Sequence, residues 1–154
     1  MRRVSVTLCA LVLLLAGWTK AAEAQFTILT VSGSPAPFNV TTAVAGSNPT
    51  AISSSGLTYF LKSKHPAGPT QISAELDSPM PAGTTLTLNM AAPGTNGTSL
   101  GPVALDATPR AVVIDIDKVN GNTYGMTYTF SATAAAGVVA SQTRTVTLTM
   151  STQP

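Results

Sequence analysis

The segment Gly97-Thr98-Ser99-Leu100-Gly101 matches G-x-S-x-G, in which a serine nucleophile stands on a sharp turn between a strand and a helix. Such a serine needs a histidine that accepts its proton, and in that fold the histidine follows the serine along the chain. The chain has one histidine, His65, which precedes Ser99, and no helical pattern follows Ser99. Glycine, serine and threonine are frequent enough for the match to arise by chance. We therefore predict a solvated loop at residues 97–101 and a protein without catalytic residues, not an enzyme.

Carboxylates and amides cluster near residue 117 and raise the question of a calcium site. Asp115 and Asp117 flank Ile116, and Asn120 and Asn122 follow closely. A calcium-binding loop places oxygen ligands at alternate positions around a glycine turn. Here the aspartates instead alternate with apolar residues, which indicates a strand whose acidic side chains face water. We predict no metal site and no cofactor.

The other charged side chains are predicted to be surface residues. Glu75 and Asp77 share the polar face of a strand pattern, so they do not form the carboxylate pair of a glycosidase. Lys62, Lys64 and His65 form a small basic cluster. Its simplest interpretation is a solvated loop, and the alternative is a contact site for an acidic glycan or partner. His65 is not expected to bind a metal, because no second histidine exists.

Aromatic residues and sequons offer two further binding signals. A carbohydrate platform needs coplanar exposed rings, and the candidates are Tyr59, Phe60, Tyr124, Tyr128 and Phe130. All but Phe60 share the parity of neighbouring apolar residues, so we predict core packing.

Asn39-Val40-Thr41 and Asn96-Gly97-Thr98 have the form of glycosylation sequons. The composition looks bacterial, so we expect them to be incidental.

Residues 1–24 have the three regions of a secretory signal peptide. Arg2 and Arg3 give a positive start, an apolar run covers Val4 to Gly17, and Ala22-Glu23-Ala24 has the small-x-small pattern of a cleavage site. The apolar run is shorter than the roughly 20 residues that span a bilayer. We predict cleavage after Ala24 and a mature protein without a membrane span. It is then secreted or held at a bacterial cell surface, by way of the periplasm where there is an outer membrane.

Loss of the leader leaves residues 25–154 with a net charge of about zero. Three of the eight basic residues and one of the six acidic residues lie in the leader, so five of each remain. A near-zero net charge argues against nucleic acid and anionic membrane as partners, because both attract basic patches. It also favours self-association. The sole cysteine, Cys9, lies in the leader, so a single domain without disulfides is expected over 25–154.

Alternation of apolar residues with Thr, Ser, Asn and Asp predicts strands that are buried on one face. The alternating runs are Phe38–Val44, Leu57–Leu61, Ile72–Leu76, Leu86–Met90, Val112–Ile116, Tyr124–Phe130 and Val146–Met150. A short first strand near Phe26–Val31 and a weak one near Val103–Leu105 bring the total to eight or nine. Glycine- and proline-containing turns separate them at regular intervals. We predict an all-β, antiparallel, immunoglobulin-like β-sandwich, with a small barrel as the alternative.

Asn120-Gly121 predicts a hairpin between the fifth and sixth of these runs. A two-residue turn would set apolar residues opposite polar ones. A three-residue loop, Val119–Gly121, aligns the apolar faces, and we prefer it. It would pair Ile116 with Tyr124, Ile114 with Met126, and Val112 with Tyr128.

Two segments resemble the body of small secreted bacterial β-sandwich surface proteins of the pilin or fimbrial-subunit type. They are QISAELDSPMPAGTTLTLNM, from Gln71 to Met90, and YGMTYTFSATAAAGVVASQTRTVTLTM, from Tyr124 to Met150. The similarity covers most of the mature chain and lies in its general composition, with threonine-rich strands that follow a secretion leader. The resemblance implies a structural role at the cell surface, with no catalytic residues.

These observations predict a structural or adhesive surface subunit that assembles by strand pairing with itself or with other surface subunits. The last strand, Thr143 to Met150, carries one charge, Arg144, although edge strands are normally protected by charge or proline. The first strand, freed by cleavage, can pair with its own sheet, which is the simpler case, or with a neighbour's. The alternative function is a soluble extracellular ligand-binding module, for example one that binds glycans.

Overall fold

The computed structural model describes residues 26–41, 46–64 and 68–153. Within these ranges the chain forms nine strands and one short 3-10 helix, Ala134–Ala136, between the last two strands. The strands are β1 (Phe26–Ser32), β2 (Ile52–Lys64), β3 (Thr70–Leu76), β4 (Thr84–Met90), β5 (Thr98–Ser99), β6 (Val103–Ala104), β7 (Arg110–Ile116), β8 (Val119–Ala132) and β9 (Val146–Thr152). Among the residues that the structure describes, no helix has the length and apolar character needed to span a bilayer.

The strands form two antiparallel sheets, which confirms the predicted all-β sandwich. The large sheet has five strands in the order β1-β2-β8-β4-β6. The small sheet has four, in the order β5-β7-β3-β9. β4 and β6 contact β7, so this end of the large sheet covers the β7 side of the small sheet. β1 and β9 therefore lie towards the opposite side of the sandwich.

Alternating apolar side chains fill the space between the sheets, as predicted. β2, β3 and β4 each bury one parity almost completely, with Leu57, Tyr59, Leu61, Ile72, Ala74, Leu76, Leu86, Leu88 and Met90 in the core. Met126 and Tyr128 of β8 are buried, whereas Tyr124 and Phe130 are half-buried against the core. Val146, Leu148 and Met150 of β9 are also only half-buried. The core is thus tightest beneath the central strands and thins towards β9.

The predicted hairpin between β7 and β8 is wrong. β7 belongs to the small sheet and β8 to the large sheet, so the chain changes sheets between Ile116 and Val119. Gly121 has a positive φ of 97°, but it is the extra residue of a bulge opposite Leu61 and Lys62 of β2. The sequence pattern gave the wrong pairing because it shows only that β7 and β8 each have an apolar face. Two such faces fit equally well when the strands are neighbours in one sheet and when they face each other across the core.

Two further strand predictions need correction. Phe38–Val44 does not form a strand over 38–41, and 42–45 lie outside the described residues. Residues 98–99 form the short strand β5 where only a loop was predicted.

The burial pattern of β7 also differs from the prediction. Val112 and Val113 are both buried and Ile114 is half-buried, where Ile114 was expected to face the core. Asp115 has a φ of 55°, in the left-handed region, and this irregularity returns Ile116 to the core. A regular period of two cannot anticipate such a break.

Candidate functional site

Ser99 lies in β5, and its surroundings differ from those of a nucleophile on a strand-to-helix turn. Its Oγ accepts a hydrogen bond from the backbone N–H of Gly101 at 3.1 Å. Leu100 N donates to Val112 O at 3.0 Å, which holds the segment against β7. The chain continues through Pro102 into β6. His65, the one histidine, lies outside the described residues. The G-x-S-x-G segment therefore lacks the following helix that a nucleophile elbow requires.

The acidic and amide side chains near residue 117 are exposed. Asp115, Asp117, Asn120 and Asn122 all lie on the surface. The backbone N–H of Asp115 donates to Gln153 Oε1 at 3.0 Å, and Asp117 N donates to Asn96 O at 3.2 Å. Among the described residues, no group of three or more His, Cys, Asp or Glu side chains could hold a metal.

The other charged candidates lie on outward faces. Glu75 is half-buried on the outer face of β3 opposite Thr147, and Asp77 is exposed just beyond that strand. Lys62 and Lys64 are half-buried on β2 and are engaged in interactions. The structure therefore places both lysines on a strand, whereas the basic cluster was interpreted as a loop.

One exposed ion pair fixes the turn before β7. Arg110 donates to Asp106 Oδ2 at 2.5 Å, and Thr108 N donates to Asp106 Oδ1 at 2.8 Å. The bond from Arg110, followed by that from Thr108, lowers the pKa of Asp106 to about 2. The pair orders the loop that leads into β7.

The tyrosines have structural surroundings. Tyr59 is fully buried, and its hydroxyl donates to Ala91 O. Burial, reinforced by the nearby Tyr124, raises the pKa of Tyr59 far above its ordinary value, and burial also raises the pKa of Tyr128. The rings of Tyr59 and Tyr124 lie 5.4 Å apart. Core packing, as predicted, leaves Tyr59 and Tyr128 unavailable as a sugar platform.

The two phenylalanines among the candidate rings also pack against their own chain. Phe38 stacks on Phe130 with a centroid distance of 6.1 Å. Phe60 is half-buried on the outer face of the large sheet and covers Gly121, where an added Cβ would lie 3.1 Å from Phe60 Cζ. None of these described rings forms part of a coplanar exposed platform.

The two long sheet edges are the remaining candidate site. The large sheet ends in β1 and β6, and the small sheet ends in β5 and β9. β5 and β6 have two residues each, whereas β1 and β9 have seven each and contain no charged residue and no proline. Long unprotected edges are rare in soluble monomers because they pair with other chains.

The direction of the backbone groups along β9 follows from its ladder with β3. Asp77 N donates to Thr145 O at 3.0 Å, and Gln153 N donates to Pro69 O at 3.1 Å. Both bonds continue the β3–β9 register, so odd-numbered residues of β9 direct their N–H and C=O groups towards β3. The backbone groups of the even-numbered residues, Val146 to Thr152, point to the open edge.

β1 pairs with β2 along its whole length, with Phe26 opposite Lys64 and Ser32 opposite Thr58. The strand was predicted, and its pairing within the chain is the simpler of the two arrangements considered. Leu29 packs against the core, but Val31, on the same face, is 43% exposed. The side of the sandwich between β1 and β9 is therefore incompletely covered. The sequence signalled two unprotected edges, but their position on one side depends on the sheet order, which periodicity does not report.

No protein-family model matches this chain, and no curated protein matches it. Among solved structures, it is similar to the crystal structure of the CupB6 tip adhesin from Pseudomonas aeruginosa, with a TM-score of 0.43 and 14% sequence identity. The match covers 79% of this chain and 40% of that one, so the chain spans less than half of the adhesin's length.

Proposed function

We propose that the protein is an exported structural or adhesive subunit of a bacterial surface or matrix, and that it assembles through its sheet edges. The observation that carries this proposal is the pair of seven-residue edge strands, β1 and β9, without charge or proline. Soluble monomers protect such edges, whereas subunits use them for pairing.

Exchange of β1 between copies is the specific form of assembly that we propose. With cleavage after Ala24, β1 begins one residue from the mature terminus. Among the described strands, β1 forms backbone pairs with β2 only. In an exchanged assembly β1 makes the same contacts with a neighbour's β2, so exchange costs little beyond the freedom lost on association.

The first experiment compares residues 25–154 with a version that lacks 25–32, by light scattering and thermal melting. Under exchange, the intact chain forms oligomers. The shortened chain is unstable until a peptide of sequence QFTILTVS is added, because that peptide restores the strand on β2. A scrambled peptide of the same composition is the control and should not restore stability.

A second experiment reports which chain supplies β1. Thr27 lies directly opposite Ser63, whose Oγ is buried without a hydrogen-bond partner among the described residues. The pair Thr27→Cys and Ser63→Cys therefore introduces two facing thiols with little loss of polar contact, at a Cα separation within the disulfide range. Oxidation links two chains covalently if β1 is exchanged and closes within one chain if it is not.

A chain that stays strictly monomeric at high concentration would contradict assembly. A soluble extracellular module that binds a ligand such as a glycan would then be the better proposal. The basic side chains of Lys62 and Lys64, at the end of β2, favour an acidic glycan in that case.

A further inference from the structure

We propose that β9 pairs with the β9 of a second copy of this chain, antiparallel about a two-fold axis at Thr149, to make one continuous eight-stranded sheet. This inference goes beyond the exchange of β1, because it uses the other sheet and moves no strand from its own fold. We expect the partner of this edge to be a second copy, because the edge is complementary to itself. The backbone, the side chains and the charge of β9 each indicate this.

The backbone supplies the first part of the complementarity. The N–H and C=O groups of Val146, Leu148, Met150 and Thr152 point to the open edge. With Thr149 opposite itself, Val146 of one copy lies opposite Thr152 of the other, and Leu148 lies opposite Met150. Each of these pairs exchanges two hydrogen bonds, so every outward-directed group of β9 is satisfied. A shift in either direction leaves residues at the strand ends unpaired.

The side chains agree with the same register. On the core side, Leu148 and Met150 are half-buried, and the second copy's Met150 and Leu148 would cover them laterally. On the outer side, Thr149 meets Thr149 and Thr147 meets Ser151, and hydroxyl pairs of this kind favour strand pairing. Because the two-fold axis is normal to the sheet, the core-facing side chains of both copies lie on the same face of the joined sheet.

Length and regularity distinguish β9 from β5, the other edge of the small sheet. β9 contains no charged residue, so symmetric pairing brings no like charges together. Its ladder with β3 runs unbroken from Thr70–Thr152 to Leu76–Val146, whereas the ladder between β3 and β7 has two register shifts. At the opposite edge, β5 has two residues and cannot support an equivalent pairing.

The test uses single cysteines in residues 25–154, which contain no natural cysteine. Thr149→Cys places two thiols across the axis in a pair that is not hydrogen-bonded, where Cα atoms lie about 4.5 Å apart and a disulfide can form. Thr147→Cys is the matched control. It is also exposed on the same strand, but in the proposed register the two copies of residue 147 are separated by roughly 13 Å along the sheet.

Mild oxidation should convert Thr149→Cys to a covalent dimer at least ten times faster than Thr147→Cys, and the doubly changed Thr147→Cys/Ser151→Cys should also cross-link. Equal rates for the two single variants would overturn the proposal. If Thr149→Cys fails to cross-link while the Thr27→Cys/Ser63→Cys chain links two copies, this inference fails and the exchange of β1 stands.

A charge test covers the case in which the cysteine variants fold poorly. In the proposed register, Thr147→Lys/Ser151→Glu sets each lysine opposite a glutamate of the other copy, so its assemblies should elute like those of the parent in size-exclusion chromatography. Thr147→Lys/Ser151→Lys sets like charges together and should elute later, because pairing through β9 is lost. Identical elution of the two variants would contradict the register.

Discussion

At the scale of single residues, Tyr59 joins the core to a distant loop. Its inward position follows from the alternation Leu57-Thr58-Tyr59, and the sequence predicts it. The partner of its hydroxyl, Ala91 O, is 32 residues away and follows β4, so the sequence offers no sign of it. The local period of the sequence determines whether a side chain faces the core. The hydrogen-bond partner of its polar atom depends instead on how the strands are ordered in the sheet.

Removal of the Tyr59 hydroxyl should lower stability and weaken its dependence on alkaline pH. Burial raises the pKa of Tyr59, so the folded chain holds this proton more tightly than the unfolded chain. The stabilisation is complete below the unfolded pKa near 10 and is lost as pH rises beyond it, because the unfolded state ionises first.

Melting temperatures between pH 8 and 11 measure this effect. The parent should lose stability above pH 10, and Tyr59→Phe should lose less while being about 1 kcal/mol less stable at pH 8. The variant should still lose some stability at alkaline pH, because burial also raises the pKa of Tyr128. Equal slopes for the parent and the variant would show that Tyr59 does not carry the effect.

Ser99 should behave as a structural hydroxyl. Because its Oγ accepts the N–H of Gly101, Ser99→Ala should cost about 0.5 to 1 kcal/mol in the free energy of unfolding. A serine-reactive fluorophosphonate should label neither the parent nor the variant. Labelling of the parent that disappears in Ser99→Ala would restore the hydrolase interpretation.

At the scale of elements, the strand pattern predicts which residues face the core, but not which sheet a strand joins. Six of the seven alternating runs coincide with observed strands, because burial on one face imposes a period of two. Asn120-Gly121 was predicted to close a hairpin, but the positive φ of Gly121 belongs to a bulge within β8. The same local geometry fits both uses, and only pairing with β2 distinguishes them.

Gly121 and Gly125 provide a matched pair within β8. Gly121→Ala should destabilise by about 1 to 3 kcal/mol, because an added Cβ lies 3.1 Å from Phe60 Cζ and the residue has a positive φ. Gly125→Ala should be within about 0.5 kcal/mol of the parent, since its Cβ meets nothing within 4 Å. Denaturant unfolding of the two variants checks this, and equal losses would place the strain elsewhere in β8.

At the scale of the whole molecule, the two long edges lie towards one side of the sandwich but in different sheets. The absence of charged residues from β1 and β9, which the sequence shows directly, leaves both edges without electrostatic protection. Sheet order then decides how they can be used, and composition does not reveal it. Pairing of β9 across a two-fold axis closes after two copies, as does a reciprocal exchange of β1. A subunit that uses both interfaces instead forms an open polymer, in which β9 pairing and β1 exchange alternate from one subunit to the next.

Blocking the two interfaces separately should therefore reduce the assembly in steps. We expect residues 25–154 to form polydisperse polymers in light scattering at high concentration. Thr27→Cys/Ser63→Cys, refolded dilute and oxidised so that β1 is tied to its own β2, should stop at dimers through β9. Adding Thr149→Lys to the tied chain places two lysines together on the axis and should give monomers. Thr85→Lys, exposed in β4 away from both long edges, adds the same charge and should leave the dimer intact. A tied chain that still forms polymers would mean that a surface other than β1 and β9 drives assembly.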